Sequence, residues 1–400
     1  MKYIVVLSDG MAGEPLEELG GMTTMEAAHT PTLDALAPMS EVGCASMVPE
    51  GMSPGSDTAN LAVLGYDPKL CYSGRSPLEA LSIGVQMSDT DVSFRCNLVT
   101  LSQGDEAYGK RTILDHSSGE IATQDAAVLV EALQKELAPE GYHFYPGTSY
   151  RNLLVVEHGE LLDMTPPHDI LGKQIGPYLP ADATFRGMME RSYDILRRHP
   201  LNLERVRNGQ NPANSAWFWG AGRRPALSSF AEKTGKRGVM VSAVDLLKGI
   251  AIGSGLKPLI VEGANGGLHT NYEGKAMAAA QALTHGGYDF AYIHIEAPDE
   301  MGHQGNIANK VESIGRVDQK VVAPVIKAME DAGEDFRLMV LPDHPTPIAV
   351  RTHTMDAVPY LLYDSTRAAV GPESFCERTA RGTGIYFKDG YKLMARLLEG

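Results

Sequence analysis

Three short apolar runs in this chain each lead into an acidic residue. Asp9 follows the run 3–7, Asp299 follows 290–295, and Asp343 follows 338–341. Histidines accompany them. His303 stands four residues after Asp299, His344 adjoins Asp343, and His353 lies in Arg351-Thr352-His353-Thr354. An Asp and a His at i and i+4 share one face of a helix and can grip one ion. Neighbours such as Asp343 and His344 reach a common site only on irregular backbone, which Pro342 and Pro345 favour. Mixed carboxylate and imidazole suits Mn²⁺, Zn²⁺ or Fe²⁺ better than Ca²⁺. One Asp after a strand is commonly a turn residue. Three of them with histidines attached predict a metal cluster, with ligand types that match two-metal sites. His294, inside an apolar run, reads as a core residue.

A candidate nucleophile lies elsewhere. In Gly55-Ser56-Asp57-Thr58-Ala59-Asn60, Ser56 and Asp57 are N-cap types, 59–64 is helix-compatible, and Gly65 is a stop. A hydroxyl at a helix N-terminus feels the positive end of the dipole, which favours an alkoxide or a bound phosphate. Serine is a weak nucleophile at neutral pH and needs such help, or a metal. From this motif alone, Ser56 as a plain helix cap is the simpler reading. Lys275 opens a predicted helix after a glycine-rich loop and can meet an anion. It is not part of a P-loop: His269 stands where that motif needs glycine, and Ala276 where it needs Ser or Thr.

The elements that must position these residues follow from the pattern. The apolar runs suit strands buried on both faces, and helix-like stretches at 244–250, 276–283 and 310–329 alternate with them; 239–241 and 259–261 are shorter strand candidates. That alternation implies an α/β fold, a mostly parallel sheet flanked by helices, and ligands of such sheets sit outside the strands' carboxyl ends. The middle of the chain is less regular, with β-like pieces at 92–101 and 152–157 and prolines at 166, 167, 177 and 180. It reads as an inserted α+β domain over 88–222, which splits the metal-binding domain into 1–87 and 223–400.

Composition narrows the function classes. The 400 residues are 43% hydrophobic and 21% charged, ordinary for a globular protein. The net charge of −15, with no basic tract, argues against binding nucleic acid through phosphates. The four cysteines form no CxxC pair, which fits reduced thiols in the cytoplasm. The run 3–7 is too short for a signal peptide, and no run approaches a membrane span. The expectation is a cytoplasmic enzyme with no membrane partner.

Taken together, the motifs Leu7-Ser8-Asp9-Gly10, Gly55-Ser56-Asp57-Thr58-Ala59-Asn60, Gly65-Tyr66-Asp67-Pro68, Asp299-Glu300-Met301-Gly302-His303, and Pro342-Asp343-His344-Pro345-Thr346-Pro347 with Arg351-Thr352-His353-Thr354 resemble a known family. The chain is similar over essentially its whole length to the archaeal type of cofactor-independent phosphoglycerate mutase, in the alkaline phosphatase superfamily. The resemblance implies an alkaline-phosphatase-like catalytic domain and conversion of 3-phosphoglycerate to 2-phosphoglycerate through a phosphoserine at Ser56, without bisphosphoglycerate. It implies two divalent ions, Mn²⁺ first, with Zn²⁺ or Mg²⁺ as alternatives. Asp9, Ser56, Asp343 and His344 match the ligands of one ion; Asp299, His303 and His353 match those of the other. Lys275 matches a lysine that contacts the transferred phosphoryl group. The inserted domain matches the part that holds the glycerate, with Asn97 and Arg151 as candidates.

At Asp115-His116-Ser117-Ser118-Gly119-Glu120 and Trp219-Gly220-Ala221-Gly222 the chain lacks arginines usual in those mutases. There it looks closer to a sister branch proposed to act as a homoserine kinase. A phosphotransferase or phosphatase acting on another small phosphorylated substrate is therefore the alternative expectation.

Overall fold

The computed structural model describes residues 1–400. The chain divides into two compact units, one made of Met1–Tyr72 with Ala226–Gly400 and the other of Ser73–Pro225.

The first unit is built on an eight-stranded sheet. In spatial order its strands are Tyr386–Phe387, Glu41–Ala45, Val358–Asp364, Phe336–Leu341, Lys2–Ser8, Phe290–Ile295, Gly238–Val241 and Lys257–Leu259. The five strands from Phe336–Leu341 to Lys257–Leu259 are parallel, and Val358–Asp364 runs antiparallel to its neighbours. The central strands are Val-, Ile- and Leu-rich without alternation because both their faces are buried. The predicted strand at 259–261 forms earlier, at Lys257–Leu259, because Gly255 turns the chain at φ +71° directly into the sheet edge. The predicted helix 310–329 spans Ile307–Val317, a widened π turn at Asp318–Val322, and Ala323–Asp331. Pro324 removes one backbone donor there, and Asp318 turns inward to accept the amides of Thr32 and Leu33 at 3.1 and 2.7 Å.

The second unit has five strands, with Val92–Leu101 at the centre, pairing antiparallel with Arg151–Val156, Ser215–Arg223 and, at one end, Ile113–Asp115. Its helices, chiefly Thr123–Glu136 and Ala183–Leu196, pack on the sheet around an apolar core in which Phe185 of the second helix joins Phe94, Phe144 and Phe218 of the strands. This unit begins at Ser73, well before the expected 88, and ends at Pro225, just past the expected 222. The early start has a local cause: the Ser76 hydroxyl at the head of helix Ser76–Ser82 bonds the Ser93 carbonyl and hydroxyl, each at 2.9 Å, tying the helix to the central strand.

All four cysteines are free and buried. No helix is long and apolar enough to cross a membrane.

Candidate active site

Three adjacent parallel strands deliver the acidic residues. Phe336–Leu341, Lys2–Ser8 and Phe290–Ile295 lie side by side, with Leu7 level with both Leu341 and His294. Asp343, Asp9 and Asp299 therefore emerge at one edge of the sheet, at the strands' carboxyl ends. Tight backbone contacts make this convergence possible. A Cβ on Gly302 would sit 2.6 Å from the Thr346 carbonyl oxygen. One on Gly10, whose φ is +60°, would sit 2.5 Å from the Thr346 hydroxyl and 2.6 Å from an Asp299 carboxylate oxygen.

Two groups of ligand atoms result. In the first, His344 Nε2 faces Ser56 Oγ at 3.1 Å, Asp343 Oδ2 at 3.4 Å and Asp9 Oδ1 at 3.6 Å. In the second, Asp299 faces His303 Nε2 at 3.2 Å and His353 Nε2 at 3.4 Å, and the two imidazole nitrogens are 3.0 Å apart. His344 stacks on His353 at 3.8 Å between ring centres, so the groups adjoin. Asp9, Asp343 and His344 can close on one ion, and Asp299, His344 and His353 on another.

Hydrogen bonding sets which imidazole nitrogens are free. Carbonyls only accept, so His303 Nδ1–H donates to Arg351 O at 3.0 Å and His353 Nδ1–H donates to Pro54 O at 3.2 Å. Both Nε2 atoms then present lone pairs to each other across 3.0 Å. The Thr346 hydroxyl donates to Asp299 Oδ1 at 2.5 Å, so His344 Nδ1 donates to that hydroxyl and its Nε2 is also a lone pair. Asp9 Oδ1 is buried with no hydrogen-bond partner. Burial, then the Asp343 and Asp299 charges, push the Asp9 carboxyl well above its ordinary range. Converging lone pairs and an orphaned carboxylate oxygen are what a divalent cation relieves. Contacts of 3.0–3.6 Å between donors are close to those that ligands about 2.1 Å from a shared ion would make. The donor set fits two such ions. Without them a proton substitutes: its bond to Asp299 pushes the His303 imidazole up to about 9 against burial.

Ser56 is the first residue of helix Ser56–Val63, and Gly55 occupies the cap position. The capping reading of Ser56 is thereby corrected, since its hydroxyl turns to His344 instead. Lys275 lies in the first turn of helix Tyr272–Thr284 with no exposed surface, and its amine donates to the His294 carbonyl at 3.1 Å. Burial pulls that amine down to about 8, opposed by Glu296.

Whole-chain comparison decides the family. The chain is 47% identical to the 2,3-bisphosphoglycerate-independent phosphoglycerate mutase of Methanosarcina acetivorans across 100% of both sequences. The chain belongs to the 2,3-bisphosphoglycerate-independent phosphoglycerate mutase family. The family's own signature, bearing that description, matches residues 37–202. Among solved structures, a protein from Pyrococcus horikoshii shares 26% identity with a TM-score of 0.82, covering 100% of this chain and 97% of its own. A cofactor-independent phosphoglycerate mutase from Thermoplasma acidophilum shares 27% identity with a TM-score of 0.68, covering 100% and 99%. The mutase fold thus extends over both units.

In this mutase-family chain the first-unit candidates Asp9, Ser56, Asp299, His303, Asp343, His344 and His353 lie together. Asn97 and Arg151 lie on the second unit, level with each other on paired strands. The Asn97 side chain accepts from Trp219 Nε1 at 3.0 Å and donates to the His116 carbonyl at 3.3 Å. Arg151 is exposed, with its guanidinium over the Tyr150 ring.

The sequence reading missed the residues that orient the carboxylates. His294, read as core, is fully buried but donates from Nε2 to Asp9 Oδ2 at 2.8 Å. Its Nδ1 accepts from the Ser242 hydroxyl at 3.1 Å, which sets the tautomer. Burial pushes the ring down to about 3, so it stays neutral. Asn60 donates to Asp343 Oδ2 at 2.9 Å and to the Ser56 carbonyl at 2.8 Å, and its own oxygen accepts from Tyr292 at 2.5 Å. An amide amid the apolar residues of a short helix, four positions after Ser56, was the available signal. Partners behind the ligands typically contribute 10–100-fold in metal affinity. His294→Leu is therefore expected to weaken divalent-ion binding by about that factor, read by titration of the chelator-stripped protein. Binding unchanged from the unsubstituted chain would remove this role.

Proposed function

We propose that this protein interconverts 3-phosphoglycerate and 2-phosphoglycerate without bisphosphoglycerate, through a phosphorylated Ser56. The observation that carries the proposal is Ser56 Oγ at 3.1 Å from His344 Nε2, beside Asp9 and Asp343. A hydroxyl aimed into a cluster of anionic and lone-pair groups is placed for activation, not for capping. The whole-length relatives carry the mutase name, which favours this reading over the homoserine kinase branch.

Asp9, Ser56, Asp343 and His344 would hold one divalent ion, and Asp299, His303 and His353 the other, with Mn²⁺ preferred over Zn²⁺ and Mg²⁺. Such ions lower the pKa of a bound hydroxyl and offset charge on a transferring phosphoryl group. In the forward direction Ser56 Oγ bonds to phosphorus as the bond from phosphorus to the substrate's O3 breaks, and the hydroxyl proton ends on the glycerate. The glycerate O2 then bonds to phosphorus as the bond from phosphorus to Ser56 Oγ breaks, and the O2 proton ends on Ser56 Oγ. Retaining the glycerate between the two steps separates a mutase from a phosphatase. We assign that task to the second unit as the substrate-binding domain, with Asn97 and Arg151 as donors to the glycerate. Lys275 supplies positive charge to the phosphoryl oxygens. We place the protein in the cytoplasm, where its substrates are made.

Lys275 makes the reading pH-sensitive. Its lowered pKa of about 8 means that the cation is present below that pH and lost above it. The expected kcat/KM is level up to about pH 8 and then falls, about tenfold per pH unit. A pH profile of Lys275→Arg, flat to about pH 10 at a lower rate, completes the check. An identical alkaline fall in that variant would assign the titration to another group.

The deciding experiment is ³¹P NMR of Mn²⁺-loaded protein given 3-phosphoglycerate and no bisphosphoglycerate. A growing 2-phosphoglycerate signal is expected. Free phosphate alone would mean a phosphatase.

A further inference from the structure

Lys310 has no exposed surface. It stands in helix Ile307–Val317, the helix that follows the one carrying Asp299 and His303. A buried ammonium is costly and ordinarily sits against a carboxylate. This one instead donates to two backbone carbonyls, Thr346 O at 2.6 Å and Ala12 O at 3.3 Å. Those carbonyls belong to different ligand-bearing loops. Ala12 is three residues beyond Asp9, and Thr346 is two residues beyond His344. The Thr346 amide also donates to Ala12 O, at 3.2 Å, so the two loops and the lysine meet at one node. Thr346 then reaches forward, its hydroxyl donating to Asp299 Oδ1 at 2.5 Å.

Every segment that carries a candidate ion ligand from the three central strands is therefore tied to Lys310, directly or through Thr346. Burial pulls this amine down to about 8, opposed by the charges of Asp299, Glu377 and Asp9, so two of the candidate ligand carboxylates favour its charged form.

We infer that Lys310 is a positioning residue for the ion site: it clamps the Asp9 loop to the Asp343–His344 loop and, through Thr346, holds Asp299 in its liganding orientation. The inference rests on the two-ion reading of the site. It assigns Lys310 no contact with substrate or with the reacting atoms.

The test uses the full chain stripped of metal, with Mn²⁺ titrated calorimetrically into the unsubstituted protein, Lys310→Met, Thr346→Val and the double variant. The melting temperature of each stripped protein is measured beside it. Lys310→Met is expected to weaken Mn²⁺ binding about 10–100-fold. The double variant is expected to lose little more than the worse single, because both act through one node. A merely structural lysine would lower the melting temperature of the stripped protein and leave Mn²⁺ affinity in place; that result overturns the inference. So do single effects that multiply in the double variant. If Lys310→Met does not fold, Lys310→Gln, which keeps a donor without the charge, is read by the same criteria. Failure of the unsubstituted chain to bind Mn²⁺ would remove the two-ion reading itself. Binding by that chain with unaltered Lys310 variants would remove this inference alone.

Discussion

Ser56→Ala is expected to lower turnover of 3-phosphoglycerate by about 10⁴-fold or more, because the proposed route carries the phosphoryl group on this hydroxyl between the two half-reactions. The structure separates this loss from any loss of fold. Ser56 begins its helix, but Gly55 is the cap, and the Ser56 hydroxyl makes no capping bond. The Asn60 side chain is held by the Ser56 carbonyl, which alanine retains. Stability should therefore change by less than about 1 kcal/mol. Ion binding should persist, since Asp9, Asp343 and His344 close on one ion without the serine. Protein incubated with ³²P-labelled substrate and quenched in acid should carry label only when Ser56 is present. Turnover within tenfold of the unsubstituted chain would show that the phosphoserine route is wrong.

Asp9→Asn is expected to move stability and activity in opposite directions. Without ions, Asp9 shares its buried edge with Asp299 and Asp343, and burial together with their charges holds its carboxyl well above the ordinary range. Its charged form is therefore a liability in the stripped protein. Asparagine keeps an oxygen for the His294 Nε2–H, now at 2.8 Å, and removes the charge. The stripped variant should gain about 1–2 kcal/mol and melt a few degrees higher. With Mn²⁺ present the order should reverse, because the variant loses an anionic ligand and the stabilisation that ion binding confers. Turnover should fall by about 10³-fold or more. Calorimetric melts with chelator and with Mn²⁺ give both signs. A stripped variant that melts below the unsubstituted chain would refute the electrostatic account.

The parallel sheet was legible from residues 3–7, 290–295 and 338–341, because strands buried on both faces need continuous apolar runs. Their candidate ligands could be proposed as well: an acidic residue directly after such a strand must appear at the sheet's carboxyl edge, and Asp299 with His303 needs only one helical turn. His353 joined that set as a nearby histidine, and motif likeness added Ser56 as a candidate ligand. Four features waited for the tertiary structure. From its own motif the Ser56 hydroxyl read more simply as a cap, and only the fold sets it against His344, 288 positions away. His294 and Lys310 had the surroundings of a core residue and of an ordinary helix lysine. Only the neighbouring strand and the two loops above it gave them Asp9, Ala12 and Thr346 as partners. The start of the second unit depended on a short helix whose hydroxyl bonds a strand beyond the expected boundary. The difference has one physical reason. Burial pattern and local spacing act over a few residues and are written along the chain, whereas the bonds that orient a ligand join segments that meet only when the sheet has formed.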